Sequence, residues 1–257
     1  KAIQELMLIA PFNDLETTTA IIDAHHDELG GVIVEPLQRA LVPQPGFLKG
    51  LREVTAHYGI PLIFDEVVTG FRLAYGGAQE FYGVVPDMCT VGKIMGGGYP
   101  CAALVGQAEF MSVYDKSSAD PDSFVSQVGT LNGNPIASAA GLATLAEMRK
   151  EGAYQRLVEV GGRLCQAIKD ISKQHGVPVQ VCGEDSIFDI YFSDRPMINY
   201  RDTLMADSGM MTRFMTGLLE RGILRGNQKF YPSIVHTDED IDRTIQAFEE
   251  VIPGLKG

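Results

Sequence analysis

The sequence predicts an α/β protein with a mostly parallel sheet in a large domain, followed by a small C-terminal α/β domain. Before Pro135, short apolar runs that end at a proline or an acid alternate with segments of helical periodicity. After Pro135, long Ala-rich and amphipathic patterns dominate. With 257 residues, the chain is long enough to bury the cores of two modest domains. We therefore predict domains at residues 1–148 and 149–257.

The large domain is expected to begin its sheet with a β-α-β crossover. Strands are predicted at four apolar segments: Gly30–Glu35, Leu62–Asp65, Met88–Val91 and Ala102–Gly106. The first is stopped by Pro36, as is typical of a buried parallel strand. Between the first two strands, leucines on one stripe predict a helix over Phe47–Tyr58, which Gly59 ends.

The second half of the chain is predicted to contain more helix than strand. Helices are expected at Ile136–Met148, at Tyr154–His175 and near Asp207–Arg221, and a last one is expected to open at Thr237–Asp240 and to run to about Val251. Thr237 and Asp240 have the spacing of a capping box at the start of the last helix, with Asp in place of Glu or Gln. Two strands are predicted between the helices, at Val177–Val181 and Ser186–Phe192.

The composition excludes several functional classes. Net charge is −12, which argues against a nucleic-acid surface, because neutralising phosphates needs a basic face. No apolar run approaches the length of a membrane span, and no signal-peptide pattern is visible. Four cysteines at irregular spacings predict free thiols in a reducing cytoplasm, and the histidines form no metal-binding pattern.

The pair most indicative of chemistry is Asp65 and Lys93. Asp65 ends an apolar run, and the crevice beyond strand ends is where open α/β sheets bind ligands. Lys93 stands between glycines, where a flat ligand can approach the backbone closely. An amine that forms a Schiff base, with a carboxylate that keeps a pyridinium protonated, is the minimum apparatus for pyridoxal phosphate chemistry. In an extended strand, Val67 would point the same way as Asp65 and pack on the ring.

A second candidate for cofactor binding is the glycine-rich segment Gly129–Pro135, which precedes a helix. Its backbone around Gly129 and the hydroxyl of Thr130 could bind phosphate, or the segment could be only a turn with a helix cap. Nucleotide-binding motifs are absent, because Ile94 follows Lys93 where a P-loop requires Ser or Thr.

Five segments together resemble, in order and spacing, the class III pyridoxal-phosphate aminotransferases: Val34–Pro36, Asp65–Arg72, Gly92–Gly98, Gly129–Pro135 and His236–Ile241. Within that family, the chain looks most like the glutamate-1-semialdehyde aminomutase-like branch. The resemblance implies the aspartate-aminotransferase-like fold (fold type I) and a homodimer with active sites at its interface. It also implies that Lys93 forms the Schiff base with pyridoxal 5′-phosphate, Asp65 binds the ring nitrogen, Val67 packs on the ring, and Thr130 contacts the phosphate of the partner subunit's cofactor.

The chain also departs from the family pattern. It corresponds to roughly the C-terminal three-fifths of a full member and lacks the N-terminal phosphate loop. No acid follows Pro36 where many ω-aminotransferases have one, and Lys229 precedes Phe230 where those enzymes have an arginine. Gln228 takes approximately the place of an aminomutase glutamate. Lys229 and Arg225 are candidate contacts for a substrate carboxylate, or are solvated surface cations.

The resemblance implies an aminotransferase that moves an amino group from an amine donor to a carbonyl acceptor by a ping-pong mechanism. Two alternatives stay open. The first is a glutamate-1-semialdehyde-type aminomutase, which completes both half-reactions on one molecule. The second is a non-catalytic fragment that serves as a dimerisation subunit.

Overall fold

The computed structural model describes residues 3–117, 119–226 and 229–256, so Gln228 lies outside the described residues. The chain forms two compact units. The first contains the residues up to Pro36 and Pro43–Lys150, and the second contains Leu37–Val42 and the residues from Glu151 onward. The sequence analysis assigned Leu37–Val42 to the large domain. They pack instead with the second unit, where Leu37, Ala40 and Leu41 are buried.

The first unit is built on a four-stranded sheet of order β1-β2-β3-β4. Its strands are β1 (Val32–Val34), β2 (Leu62–Glu66), β3 (Met88–Val91) and β4 (Ala103–Gly106). Its helices are α1 (Leu15–His25), α2 (Phe47–Tyr58), α3 (Gly77–Tyr82), α4 (Ala108–Met111) and α5 (Pro135–Met148), with 3₁₀ turns at Gln4–Leu6, Lys93–Gly96 and Ser112–Tyr114. The first three strands run parallel and β4 pairs antiparallel to β3, which confirms the mostly parallel sheet.

The β1-α2-β2 crossover sets β1 and β2 parallel, and β3 pairs parallel with β2, so the carboxyl ends of β2 and β3 lie side by side. Gly46 and Gly59 flank α2 with φ angles of 87° and 66°, a conformation that glycine adopts without steric cost. Leu48 and Leu51 point from this helix into the core, as their spacing predicts. Leu62 and Phe64 are fully buried on one face of β2, so Ile63 and Asp65, which alternate with them, face the other side of the sheet.

The second unit packs its helices on a two-stranded antiparallel sheet. Its strands are β5 (Gln180–Glu184) and β6 (Ile187–Tyr191), and its helices are α6 (Ala153–Gln174), α7 (Tyr200–Thr203), α8 (Ser208–Glu220) and α9 (Asp238–Val251), followed by a 3₁₀ turn at Ile252–Lys256. Its core joins α6, α8 and α9 to β6 around Phe188, Phe214 and Phe248, all fully buried. Burying a side chain of this size contributes about 1.5–3 kcal/mol.

Two details of the second unit bear on the predictions. The capping box at α9 is confirmed, because Thr237 and Asp240 exchange side-chain-to-backbone hydrogen bonds. The predicted strand Val177–Val181 is displaced, since the N–H of Val177 donates to the carbonyl of Ser172 and ends α6. The strand therefore starts only at Gln180.

Over the described ranges, no helix is long and apolar enough to cross a membrane.

Candidate active site

Asp65 and Lys93 both lie toward the carboxyl ends of neighbouring parallel strands, Asp65 near the end of β2 and Lys93 just after β3. In the parallel register of β2 and β3, Asp65 lies opposite Thr90 and Glu66 opposite Val91. Lys93 begins a 3₁₀ turn two residues beyond the end of β3. Because the carboxyl ends of parallel strands lie on the same side of a sheet, both residues belong to the side where open α/β sheets bind ligands.

Two hydrogen bonds hold the carboxylate of Asp65. The hydroxyl of Thr90 donates to Oδ1 at 3.1 Å, and the backbone N–H of Val67 donates to the same oxygen at 3.1 Å. Strand β2 ends at Glu66, so Val67 lies in a turn and not in the extended strand expected from the sequence. A Cβ on Gly92 would lie 3.6 Å from Cγ1 of Val67, which places Val67 next to the residue before Lys93.

Lys93 adopts a conformation that non-glycine residues seldom take. Its φ angle is 47°, in the left-handed region, and its side chain is exposed. Such residues persist only where the surroundings fix them, and they are frequent at functional sites. Gly97, with a φ of 58°, closes the 3₁₀ turn that Lys93 opens.

Helix α5 packs closely against the 3₁₀ turn that begins at Lys93, and two glycines allow this close approach. A methyl group on Gly97 would lie 2.7 Å from the carbonyl oxygen of Ala140 in α5. A methyl group on Gly141, one residue further along α5, would lie 2.7 Å from the carbonyl oxygen of Met95. Both distances are shorter than a carbon and an oxygen tolerate, so the helix and the turn approach each other only because both positions are glycine.

Gly141→Ala should therefore displace the turn that carries Lys93. We expect a loss of about 1–3 kcal/mol in the free energy of unfolding, typical of overpacking, together with lower turnover. Denaturant unfolding and steady-state kinetics measure the two effects. The matched control is Gly30→Ala, because a methyl group at Gly30 would meet nothing within 4 Å. Equal unfolding midpoints for the two variants would contradict the close approach.

Glu66 anchors the end of β2 and is a structural residue that the sequence analysis did not identify. It is 1% exposed, and its carboxylate accepts hydrogen bonds from the hydroxyl of Thr69, the N–H of Ala78 and the side chain of Gln79. A buried charge needs such partners to be tolerated. Alternation along β2 sends Glu66 to the face opposite Asp65, and this could have revealed its buried role.

Gly129 and Thr130 lie in an exposed loop of the same unit. Within the described residues, neither makes a hydrogen bond to Lys93 or Asp65. The loop leads into α5, whose first N–H groups are capped by the side chain of Asn134 at 3.0 Å and 3.1 Å. Both interpretations of this loop, as a helix cap and as a phosphate contact, are compatible with its position.

Arg225 and Lys229 are buried in the second unit. Each is 8% exposed, so the alternative that they are solvated surface cations is wrong. The guanidinium of Arg225 pairs with Asp189 and lies 4.8 Å from the ring centre of Phe230. Burial lowers the pKa of Arg225, an effect that Asp189 opposes. The sequence analysis missed Asp189 because only the fold brings it to Arg225.

Arg225 and Lys229 line a cleft of about 230 Å³ within this unit, together with Arg39, Tyr191 and Ser208. The hydroxyl of Tyr191 donates to the carbonyl of Arg39 at 2.8 Å. Burial raises the pKa of Tyr191, and the charge of Asp189 raises it further, so this hydroxyl stays protonated. The cleft therefore brings the cationic side chains of Arg39, Arg225 and Lys229 together with the carboxylates of Asp189 and Asp207, of which Asp189 pairs with Arg225.

The four cysteines are free thiols. Burial raises the pKa of Cys165 to about 12 and that of Cys182 to about 11, so both stay protonated near neutral pH. Over the part of the chain that the structure describes, no group of three or more His, Cys, Asp or Glu side chains could hold a metal ion. The amine of Lys93 is thus the candidate nucleophile.

An amine and a carboxylate near adjoining strand ends are the residue types that a site of the pyridoxal phosphate type requires. The chain belongs to the class III aminotransferase family, whose model matches residues 5–252. It is 44% identical over 246 residues to glutamate-1-semialdehyde 2,1-aminomutase 2 from Brevibacillus brevis, covering 93% of this chain and 56% of that protein.

Solved structures show the same fold. An omega-transaminase from Sphaerobacter thermophilus matches with a TM-score of 0.93 and 34% identity, covering 100% of this chain and 59% of its own. A transaminase solved with pyridoxal phosphate bound matches with a TM-score of 0.86 and 27% identity, over 96% of this chain and 57% of its own. The chain therefore spans little more than half the length of the proteins it matches.

Proposed function

We propose that this chain carries the catalytic lysine and the ring-binding aspartate of a pyridoxal-phosphate-dependent aminotransferase. The observation that supports this most strongly is the pairing of Lys93 and Asp65 at the ends of β3 and β2. Lys93 has a φ of 47° in a turn that packs against α5, and such a conformation is frequent at functional sites. The same lysine, beside a fixed carboxylate, suits a flat ring with an aldehyde at one end and a basic nitrogen at the other.

Pyridoxal 5′-phosphate is the cofactor of the class III aminotransferases. When bound, it supplies an aldehyde that captures amino groups and a protonated ring that withdraws electrons from the substrate's α-carbon. In this chain Lys93 would bind the aldehyde, Asp65 would keep the ring nitrogen protonated, and Val67 would pack against the ring. Gly129 and Thr130 are the proposed phosphate contacts.

Lys93 would also move the proton on which the reaction depends. Once an amino donor has displaced Lys93 from the cofactor, the Nζ of Lys93 would be free to take the proton from the substrate's α-carbon as a general base. The same amine then returns the proton to a neighbouring carbon. Water would then release the donor as a carbonyl compound, with its amino group left on the cofactor. A carbonyl acceptor would take up that amino group and release water when Lys93 repeats these transfers in reverse.

Separate half-reactions test this proposal in the full-length protein. The protein loaded with pyridoxal phosphate is mixed with an amino donor, and the visible spectrum is recorded after gel filtration. An aminotransferase should lose its visible band with the donor and regain it when a keto acid is added. A spectrum that no donor amine changes would contradict the proposal and favour the non-catalytic dimerisation subunit.

An aminomutase is the second candidate. It is favoured by the identity of 44% to a protein named glutamate-1-semialdehyde 2,1-aminomutase. An aminomutase would convert glutamate-1-semialdehyde without any separate acceptor, whereas the proposed aminotransferase would need a keto acid or an aldehyde for each turnover. Following product formation with and without added acceptor separates the two.

We also propose a cytoplasmic homodimer in which Thr130 contributes to the partner's cofactor site. The segment around Thr130 carries exposed apolar side chains, with Val128 84%, Ile136 63% and Leu142 71% exposed. An apolar surface of this kind is typical of an interface between subunits. The free cysteines favour the reducing cytoplasm.

Lys229 and Arg225 are the proposed contacts for a substrate carboxylate. Arg225 pairs with Asp189 in the same cleft that Lys229 lines. An ammonium acts as a point charge, and a charge-assisted hydrogen bond is worth about 1.5–3 kcal/mol. Lys229→Met should therefore raise KM for carboxylate-bearing amines about tenfold or more.

Amines without a carboxylate provide the control for Lys229→Met, because their KM should hardly change. Steady-state kinetics on matched pairs of amines measures both values. Equal effects on the two substrate types, or no effect on either, would contradict a role for Lys229 in carboxylate binding.

A further inference from the structure

The carboxylate of Asp65 is held asymmetrically. Thr90 lies directly opposite Asp65 in the register of β2 and β3, and its hydroxyl donates to Oδ1 at 3.1 Å. The N–H of Val67 donates to that same oxygen at 3.1 Å. Among the described residues, the hydrogen bonds to this carboxylate thus all go to Oδ1.

Two donors on one oxygen fix the plane of the carboxylate and leave the other oxygen for a ligand. The terminal torsion of aspartate is broad, so a carboxylate without such donors would sample many orientations. Donors that orient a group which itself binds a ligand can be nearly as important as that group. From this geometry we propose that Thr90 is a positioning residue that directs Oδ2 of Asp65 toward the ring nitrogen of pyridoxal phosphate. This inference rests on the proposed function.

The surroundings of Thr90 suit this role. Threonine is β-branched, so in strand β3 its side chain has few rotamers and its hydroxyl is held in place. Strand β4 pairs with β3 on the other side, where Leu104 lies opposite Thr90. Glu66, the neighbouring carboxylate on β2, is engaged on the opposite face by Ala78 and Gln79 and does not compete for the hydroxyl.

A simple structural tie between β2 and β3 is the competing explanation. Backbone hydrogen bonds already join these strands over Ile63–Glu66 and Met88–Val91. One more side-chain hydrogen bond would therefore fix their pairing little further. The two explanations differ in one respect. A positioning residue matters only when the ligand has a nitrogen for Oδ2 to meet, whereas a structural tie matters for every ligand that occupies the site.

The test compares wild type, Thr90→Val and Thr90→Ser in the full-length apoprotein. Valine keeps the shape of threonine without its hydroxyl, and serine keeps the hydroxyl. Each protein is titrated with pyridoxal phosphate and with its deaza analogue, in which a carbon atom replaces the ring nitrogen. Dissociation constants come from the change in absorbance or protein fluorescence.

We expect Thr90→Val to weaken the binding of pyridoxal phosphate about tenfold and to change the affinity for the deaza analogue less than about twofold. Thr90→Ser should bind pyridoxal phosphate nearly as tightly as wild type. Equal weakening for both ligands, or unchanged binding of pyridoxal phosphate by Thr90→Val, would overturn the inference and leave the proposed function intact. A wild-type protein that binds no pyridoxal phosphate would instead overturn the proposed function, and this inference with it.

Discussion

Lys93→Ala should reduce turnover by about 10⁴-fold or more, since it removes both the covalent attachment point and the general base. Alanine should not change the backbone strain of the turn, because it would have to adopt the same left-handed φ of 47° as lysine. The protein should therefore fold and still bind pyridoxal phosphate through Asp65 and its other contacts. Steady-state turnover and the visible spectrum of the bound cofactor are the measurements.

Lys49→Ala is the matched control for Lys93→Ala, because Lys49 is a surface lysine whose side chain is 77% exposed. It should leave turnover and the spectrum unchanged. Added small primary amines should restore part of the activity of Lys93→Ala, because they can supply the missing base. Turnover of Lys93→Ala within about tenfold of wild type would rule out Lys93 as that base.

Asp65→Asn should lower turnover by about 10³-fold, equivalent to about 4 kcal/mol of barrier. The amide oxygen of asparagine can still accept from Thr90 and Val67, so the side chain should keep its place. A neutral amide cannot hold the proton on the ring nitrogen, and the loss is therefore electrostatic. Turnover, together with the affinity for pyridoxal phosphate, separates this chemical defect from simple loss of cofactor.

Glu53→Gln makes the matching change at a carboxylate whose side chain is 66% exposed, and it should have no effect. If Asp65→Asn retained turnover within about tenfold of wild type at saturating cofactor, the protonated ring would not be the electron sink of this enzyme. A parallel loss of folding stability in Asp65→Asn would point instead to a structural role for the carboxylate.

The main elements of the fold could be predicted because local sequence signals specify them. Helix α2 has its apolar stripe and its flanking glycines, and α9 has its capping box. No local sequence signal shows that Leu37–Val42 belong to the second unit, because this depends on packing with residues far along the chain. Strand β5 was misplaced because apolar content alone does not show where α6 ends.

The same distinction applies to the site. The placement of Asp65 near the end of a strand and of Lys93 in a glycine-rich turn could be predicted, because both signals are visible in the sequence. Thr90 required the register of β2 and β3, which no single strand reveals. The burial of Arg225 beside Asp189 depends on residues that only folding brings together. In the sequence alone, a short cationic segment is equally typical of a solvent-exposed surface.

Borohydride reduction tests the central claim most directly. The full-length protein, loaded with pyridoxal phosphate, is reduced, digested and mapped by peptide mass spectrometry. We expect a single modified peptide, with the pyridoxyl phosphate group on Lys93. A modification on Lys49 or Lys116 in its place, or no modification at all, would contradict the assignment of Lys93 as the residue that binds the cofactor.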